Sequence, residues 1–149
     1  MKFTAEHRQL ADTVAKFVEK ELNPHIPEWE AAEIYPAHEV MKKLGDLGLL
    51  GLKYPEEFGG AGLDFSYSMV MAEELGACKC GGVPMSIGVH TDMCTPALAR
   101  FGSDELRREW LAPSIAGDMV GCLGVSEAGG GSDVAAVKTS ARAVEGDYV

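Results

Sequence analysis

Apolar residues recur at helical spacing in the first third of the chain. Those between residues 4 and 22 fall on one face at steps of three and four: Leu10, Val14, Phe17, Val18 and Leu22. Thr4 can cap the start of this predicted helix, and Asn23-Pro24 ends it because proline interrupts the helical hydrogen bonds. The prolines that follow predict a loop as far as Pro36. A second helix is expected from there to Gly48, with these residues facing inward: Val40, Met41, Leu44 and Leu47.

Three further helices are predicted after a glycine-rich stretch. Residues 48–66 are expected to form a structured loop, because their glycines disfavour a helix. A third helix is predicted from a cap at Ser66 to about Leu75, and a fourth from about Pro84 to Phe101. Ser103 is predicted to cap a fifth helix, which ends near Ala112.

The hydrophobic pattern changes after Gly117. Met119–Val125 is a short apolar run that suits a buried strand, and residues 137–143 alternate between apolar and polar as in a half-buried strand. Glu145-Gly146-Asp147 is a hairpin turn signal. The predicted fold class is therefore mainly α: an N-terminal helical bundle over residues 1–117, followed by the first strands of a truncated β domain over residues 118–149.

Composition and charge narrow the classes of function. About half of the 149 residues are apolar and a quarter are charged, as in ordinary globular proteins. The formal net charge of −10 argues against nucleic acid or an anionic membrane as a partner. No apolar run is long enough to span a bilayer. The polar start, MKFTAEHRQL, is not typical of a signal or transit peptide, so we expect a cytoplasmic protein, or a mitochondrial matrix protein if a presequence is missing.

The four cysteines do not predict a metal site. Cys78 and Cys80 form C-x-C rather than the C-x-x-C of zinc and thioredoxin sites, and Cys94 and Cys122 stand apart. Partners at ligand spacing are not found in the sequence. We therefore expect reduced, partly buried thiols.

The segment with the clearest chemical content is GVSEAGGGSD, residues 124–133. Three consecutive glycines let the backbone approach a ligand and turn its N–H groups outward, and such a cluster binds phosphate well. Ser126 and Ser132 add hydroxyl donors on either side. The dinucleotide and Walker fingerprints both fail, since Val134 stands where the last glycine belongs and no Gly-Lys-Ser/Thr occurs. From these residues alone, a phosphate-binding loop and a solvated turn both remain open.

Four segments resemble the acyl-CoA dehydrogenase family, in the family's order and over nearly the whole chain. They are LGDLGLLGLKYPEEFGGAGLD, TPALARFGSDELRREWLAPSIAGD, GVSEAGGGSDVAA and TSARAVEGDYV. The resemblance implies FAD as the cofactor and an acyl-CoA thioester as the substrate. It also implies an electron-transfer flavoprotein as electron acceptor, and a homotetrameric parent enzyme in which a neighbouring subunit completes the FAD site.

The resemblance also implies which residues meet the cofactor. Leu123 would pack on the flavin ring, where many relatives place an aromatic residue, and the backbone of Val125 would bond the pyrimidine edge of the ring. Ser126 would donate its hydroxyl near flavin N5, the atom that accepts the substrate hydride. Gly131 and Ser132 would meet the FAD pyrophosphate, and Ser132 also the CoA side of the substrate.

The acyl pocket and the catalytic base are implied less directly. Ser86, Val89 and Met93 share a helix face that would line the acyl pocket, although plain core packing is an equal alternative. Family members take their base from a Glu of a C-terminal helical domain, so no catalytic residue is expected in this chain. Glu127 and Asp133 are expected to fix the loop through backbone N–H groups instead.

The reaction implied for the parent enzyme is α,β-dehydrogenation of the acyl-CoA with hydride transfer to FAD N5, and we expect this chain to be inactive on its own. Two alternatives stay open. One is another flavoenzyme of the same fold, an acyl-CoA oxidase or nitroalkane oxidase. The other is a truncated, non-catalytic α domain.

Overall fold

The computed structural model describes residues 3–149, and its first helix matches the predicted one. Helix α1 (Ala5–Phe17) continues through a π-helical turn, Val18–Leu22. Four of the five predicted inward residues are buried, and Leu10 is half-buried. Thr4 takes the extended N-cap conformation, and its backbone N–H donates to His7 Nδ1 at 3.2 Å. The periodic apolar face therefore becomes one side of the core, as predicted.

Helix α2 (Ile26–Ala32) lies in the stretch predicted as a loop, so that prediction is wrong. Pro27 occupies the first turn of the helix, where the N–H that proline lacks has no helical partner to lose. The helix ends at Glu33, whose φ of 55° is left-handed. The proline was therefore a start signal rather than a breaker.

Helix α3 (Ala37–Asp46) buries Val40, Met41 and Leu44, as predicted. The prediction that Leu47 also faces inward is wrong, because Leu47 is 49% exposed. The last helical residue is Asp46, so Leu47 stands at the C-cap and leaves the apolar face. The glycine-rich stretch that follows is a structured loop with two 3-10 turns, Leu49–Gly51 and Glu56–Phe58.

Helix α4 (Phe65–Leu75) is capped by Asp64 rather than by Ser66, which corrects the predicted cap. Asp64 Oδ1 accepts the backbone N–H of Ser66 at 2.8 Å. Both residues suit an N-cap, and the carboxylate two residues earlier takes the position.

The predicted fourth and fifth helices are both present. Helix α5 (Gly82–Gly88) passes through a π-helical segment, Val89–Cys94, into α6 (Thr95–Phe101). Helix α7 (Asp104–Leu106) begins at the predicted cap, where Ser103 Oγ accepts the N–H of Leu106 at 3.2 Å. It continues through a π-helical segment, Arg107–Leu111, into α8 (Ala112–Ile115), slightly beyond the predicted end.

The helices enclose two apolar clusters. The main core joins α1 to α5 and the loop after α3. Five of its side chains are 0% exposed: Val14, Leu22, Met41, Leu44 and Ile87. A smaller cluster joins that loop to the last helices through Tyr54, Phe58, Leu111 and Ile115. No helix of residues 3–149 is long and apolar enough to cross a membrane.

The final segment forms less sheet than its sequence predicts. Met119–Val125 is not a strand, because no neighbouring strand within residues 3–149 supplies its backbone hydrogen bonds. Within that part of the chain, the sheet is a two-stranded antiparallel hairpin of β1 (Ala143–Val144) and β2 (Asp147–Tyr148). The predicted hairpin turn is confirmed: Glu145 and Gly146 have φ of 51° and 90°, the geometry of a tight two-residue turn. The mainly α fold class is confirmed.

Candidate functional site

A buried histidine holds the start of the candidate site against the helices. His90, in the π-helical segment after α5, is 0% exposed. The backbone N–H of Gly121 donates to its Nδ1 at 3.0 Å, so the ring proton resides on Nε2. Nε2 then donates to the Ser114 carbonyl at 3.0 Å. His90 therefore joins three parts of the chain at the point where residues 121–126 leave the bundle.

Burial keeps this imidazole neutral. The loss of hydration lowers the pKa of His90, and the hydrogen bond to the Ser114 carbonyl only partly offsets that effect. Both ring nitrogens are hydrogen-bonded within the protein, and the Nε2 proton is held by the Ser114 carbonyl, so the role of His90 is structural.

Beyond Gly121 the chain runs extended with its donors unused. Within residues 3–149, the backbone N–H groups of residues 122–126 have no hydrogen-bond partner. Leu123 and Val125 are 46% and 42% exposed, and Ser126 is also exposed. Apolar side chains, free amides and a hydroxyl thus lie together on one accessible segment.

The glycine-rich loop closes on itself, and this closure uses two of its amides, one of them in the glycine run. Glu127 and Gly130 form an antiparallel bridge, with N–H to carbonyl distances of 3.3 and 3.2 Å. The amides of Gly129, Gly131 and Ser132 have no partner within residues 3–149. The expectation that this glycine run turns its N–H groups outward therefore holds for its flanks and fails at Gly130.

The Glu127 carboxylate fixes this loop to the following segment. It accepts the backbone N–H of Lys138 at 3.0 Å and that of Thr139 at 2.6 Å, as well as the Thr139 hydroxyl. The Thr139 hydroxyl and these amides lower the pKa of Glu127. A carboxylate held in this way is a weak base, so its role is structural, as the sequence predicted.

The three residues predicted to face an acyl chain lie along one stretch of helix. Ser86 and Val89 are half-buried, and Met93 is 53% exposed. The Ser86 hydroxyl donates to the Val83 carbonyl at 2.8 Å and also meets the Tyr35 hydroxyl. The Ser86 hydroxyl is therefore already hydrogen-bonded and is not a free donor to a ligand on this face.

An open cleft lies on another side of the same helix. Its volume is about 570 Å³, and its lining includes Cys94, Leu98, Trp110, Met119 and Gly121. Ser86, Val89 and Met93 do not line it. The structure thus brings the cleft, rather than the predicted acyl-facing residues, next to the start of the extended segment.

A second polar connection, which the sequence did not indicate, braces the helix that carries His90. The buried Tyr54 hydroxyl donates to the Thr91 carbonyl at 2.7 Å and meets the Thr95 hydroxyl at 2.6 Å. Thr95 in turn donates to the His90 carbonyl at 2.6 Å. Burial raises the pKa of Tyr54 to about 12, so the phenol stays protonated.

A model of the acyl-CoA dehydrogenase N-terminal domain matches residues 4–118. The chain belongs to the acyl-CoA dehydrogenase family. The match ends near the point where the extended segment leaves the helices, so the helical part of the chain is the part that this model describes.

Full-length acyl-CoA dehydrogenases are similar to this chain over nearly all of its residues. It is 43% identical over 142 residues to human mitochondrial short-chain specific acyl-CoA dehydrogenase, covering 95% of this chain and 34% of the human protein. It is 36% identical over 148 residues to potato (Solanum tuberosum) mitochondrial isovaleryl-CoA dehydrogenase, covering 99% of this chain and 36% of the potato protein. The chain thus spans about a third of the length of the curated relatives it matches.

Solved acyl-CoA dehydrogenases share its fold. The Geobacillus kaustophilus enzyme superposes with a TM-score of 0.88 at 35% identity, covering 99% of this chain and 38% of that one. A Bacillus anthracis acyl-CoA dehydrogenase complexed with FAD superposes with a TM-score of 0.85 at 32% identity, covering 94% and 24%.

Proposed function

We propose that this chain supplies the flavin-facing part of an FAD-dependent acyl-CoA dehydrogenase. The observation that carries the proposal is the extended segment 122–126, whose amides are free and whose start is pinned by His90 through Gly121. It is followed by a loop with further free amides at Gly129, Gly131 and Ser132. This arrangement offers donors to an anionic, planar ligand along a single edge.

The residues present fit FAD. Leu123 and Val125 expose apolar surface that suits the face of a flat ring. The free backbone amide of Val125 suits a carbonyl of the pyrimidine edge, and the amides of Gly131 and Ser132 suit the diphosphate. The FAD complex of the B. anthracis relative supports the choice of this cofactor.

The reaction proposed is α,β-dehydrogenation of an acyl-CoA thioester. When bound, the flavin supplies hydride-accepting chemistry at N5. The Ser126 hydroxyl donates toward that atom and stabilises negative charge that develops there. We also propose that Ser132 faces the CoA side of the substrate and that Ser86, Val89 and Met93 face the acyl end, although these three residues do not line the open cleft.

We further propose that Glu127 does not act as the base that removes the α-proton. Glu127 is the acidic residue next to the proposed flavin segment, and its lowered pKa and its bonds to Lys138 and Thr139 make it a poor proton acceptor at neutral pH. We therefore assign Glu127 the role of holding the loop rather than that of the base.

The relatives support proposals for the partners and the compartment. The human and potato proteins are mitochondrial, which supports the matrix of mitochondria, with the cytoplasm as the equivalent in a bacterium. A solved structure described as an electron transferring flavoprotein of Acidaminococcus fermentans superposes with a TM-score of 0.90 at 30% identity. We propose an electron-transfer flavoprotein as electron acceptor, and a homotetramer as the assembled enzyme.

Flavin titration of single-site variants tests the proposal. Ser126→Ala and Ser132→Ala should each weaken FAD binding about fivefold, since each removes one hydrogen bond of about 1 kcal/mol. Ser140→Ala, an exposed serine beyond the loop, is the matched control and should leave the affinity unchanged. Equal FAD affinity in all three variants, or no FAD binding by the unaltered protein, would refute the proposed site.

A further inference from the structure

Two cysteine sulfurs lie next to each other far along the chain from the proposed flavin segment. Cys78 and Cys80 stand in the turn between α4 and α5, and their Sγ atoms are 3.9 Å apart. Both are free thiols, and both are half-exposed. They pack on the edge of the main core while keeping a side open to solvent.

The turn that carries the pair is held in place from outside. Asn23, at the end of the π-helical turn after α1, donates through Nδ2 to the Ala77 carbonyl at 3.2 Å. Its Oδ1 accepts the backbone N–H of Lys79 at 2.9 Å. The chain bends at Cys78 and Lys79, and this bend points the two sulfurs toward each other. The proximity is thus built in by a specific backbone clamp.

We propose that Cys78 and Cys80 are a redox-active dithiol that closes to an intramolecular disulfide by exchange with a small disulfide of the glutathione type. The Cys80 thiolate attacks one sulfur of the small disulfide, forms a mixed disulfide and releases one small thiolate. The Cys78 thiolate then attacks the Cys80 sulfur and releases the second. The protein loses two protons and two electrons, and the small disulfide becomes two thiols.

The geometry suits ring closure. The sulfurs must approach from 3.9 Å to about 2.05 Å, the length of a disulfide bond. Residues two apart in a bent chain have Cα atoms within about 7 Å, close to the range that disulfides span. Side-chain rotation therefore supplies most of the movement, with limited change in the backbone.

The order of the two steps follows from burial. Loss of hydration raises the pKa of the Cys78 thiol, which keeps it protonated at neutral pH. Cys80 is therefore assigned the first attack, and Cys78 the closing step, where the neighbouring mixed disulfide offers it a high local concentration.

Dilution of a glutathione buffer at a fixed ratio of thiol to disulfide tests the proposal on the intact protein. An intramolecular disulfide releases two glutathione thiols, so about tenfold dilution should raise the closed-to-open ratio about tenfold. A mixed disulfide releases one thiol, so its fraction should not change. The exposed Cys122 can form such a mixed disulfide, and its modified fraction is the internal comparison for the Cys78–Cys80 pair.

Trypsin reports which sulfurs are joined, because Lys79 separates the pair. Cleavage there puts Cys78 in peptide 54–79 and Cys80 in peptide 80–100, which stay linked only if a disulfide bridges them. A Cys94→Ser background removes the other cysteine of the second peptide. Should that variant fold poorly, loss of two hydrogen atoms from the intact unaltered protein that is absent in Cys80→Ser assigns the disulfide to this pair.

Cys80→Ser is the matched control. It should leave Cys78 with mixed disulfides that do not respond to dilution. Linked peptides that grow about tenfold on dilution and vanish in Cys80→Ser support the proposal. Unlinked peptides at every redox setting, or a modified fraction that ignores dilution, overturn it without touching the proposed flavin site.

Discussion

His90→Ala is expected to be one of the more destabilising single substitutions in this protein. The change leaves the Gly121 amide without an acceptor, whereas the Ser114 carbonyl loses one bond and still accepts the backbone N–H of Gly117 at 3.2 Å. An unpaired buried group costs about 1–3 kcal/mol, with the half-exposed Gly121 at the low end, and the lost bond to Ser114 costs about 1 kcal/mol. The space left by the fully buried ring adds a cavity cost, and the total is about 3–4 kcal/mol.

Two conservative variants separate the bonds. In His90→Asn the side-chain oxygen can replace Nδ1 and still accept from Gly121, whereas the donor to Ser114 is lost. In His90→Gln the side-chain nitrogen can replace Nε2 and still donate to Ser114, whereas the acceptor for Gly121 is lost. Each variant should cost about 2 kcal/mol, roughly half of the alanine value.

The measurements are urea unfolding at neutral pH and native-state amide exchange. Protection of the Gly121 amide should survive in His90→Asn and fall in both His90→Gln and His90→Ala. A loss of less than about 1 kcal/mol in His90→Ala would refute the energetic argument. Equal Gly121 protection in all three variants would refute the proposed tautomer.

The same residue sets a pH dependence. Burial lowers the folded-state pKa of His90, so the unfolded chain binds a proton first as the pH falls. The neutral ring's contribution is therefore complete above the unfolded value of about 6.5 and is lost as the pH falls from there toward the folded pKa. The slope of the free energy of unfolding against pH that is due to His90 approaches about 1.4 kcal/mol per pH unit, and the His90→Gln variant should lack this contribution. The free energy of unfolding of the unaltered protein minus that of His90→Gln is the quantity to follow with pH, because the contributions of the other titratable groups cancel in this difference.

Three further substitutions test the backbone and the loop. Gly117→Ala should cost about 3 kcal/mol, because φ is 77° and a Cβ would lie 2.3 Å from the Met41 carbonyl oxygen. Gly48→Ala is its control: φ is 72° with nothing within 4 Å, so strain alone predicts about 1 kcal/mol by urea unfolding. A Gly117→Ala cost no larger than the Gly48→Ala cost would contradict the steric argument. Glu127→Gln should lower the exchange protection of the Thr139 amide, and unchanged protection would contradict the loop assignment.

All the helices except α2 were predictable, because the sequence of each carries its own signal. The apolar face of α1 and the glycine after α3 are local features, and both act as the sequence indicated. The wrong predictions fall where two local interpretations of the same residues compete. Pro27 can break a helix or start one, and only the packing of Ile26 into the core decides for a start. Asp64 and Ser66 compete for one cap, and the backbone geometry selects the carboxylate.

The candidate site was predictable in its donors but not in its geometry. A strand at Met119–Val125 depends on a neighbour that supplies hydrogen bonds, and an apolar run carries no information about that neighbour. The bridge between Glu127 and Gly130 occupies one amide of the glycine run, and the composition of the loop does not predict it. The partner of His90 at Gly121 lies 31 residues away and has no sequence signature.

The contrast between the two parts of the chain bears on how the proposed site works. The helices satisfy their backbone internally, whereas the amides of residues 122–126 are free and Leu123 and Val125 expose apolar surface. A ligand that accepts those hydrogen bonds and covers those side chains binds the segment in its ordered conformation. By mass action, ligand binding then stabilises that conformation. His90 contributes before binding, because it fixes Gly121 and so reduces the number of residues that the ligand must order. A weakened tie at Gly121 should therefore lower flavin affinity without removing any group that touches the flavin.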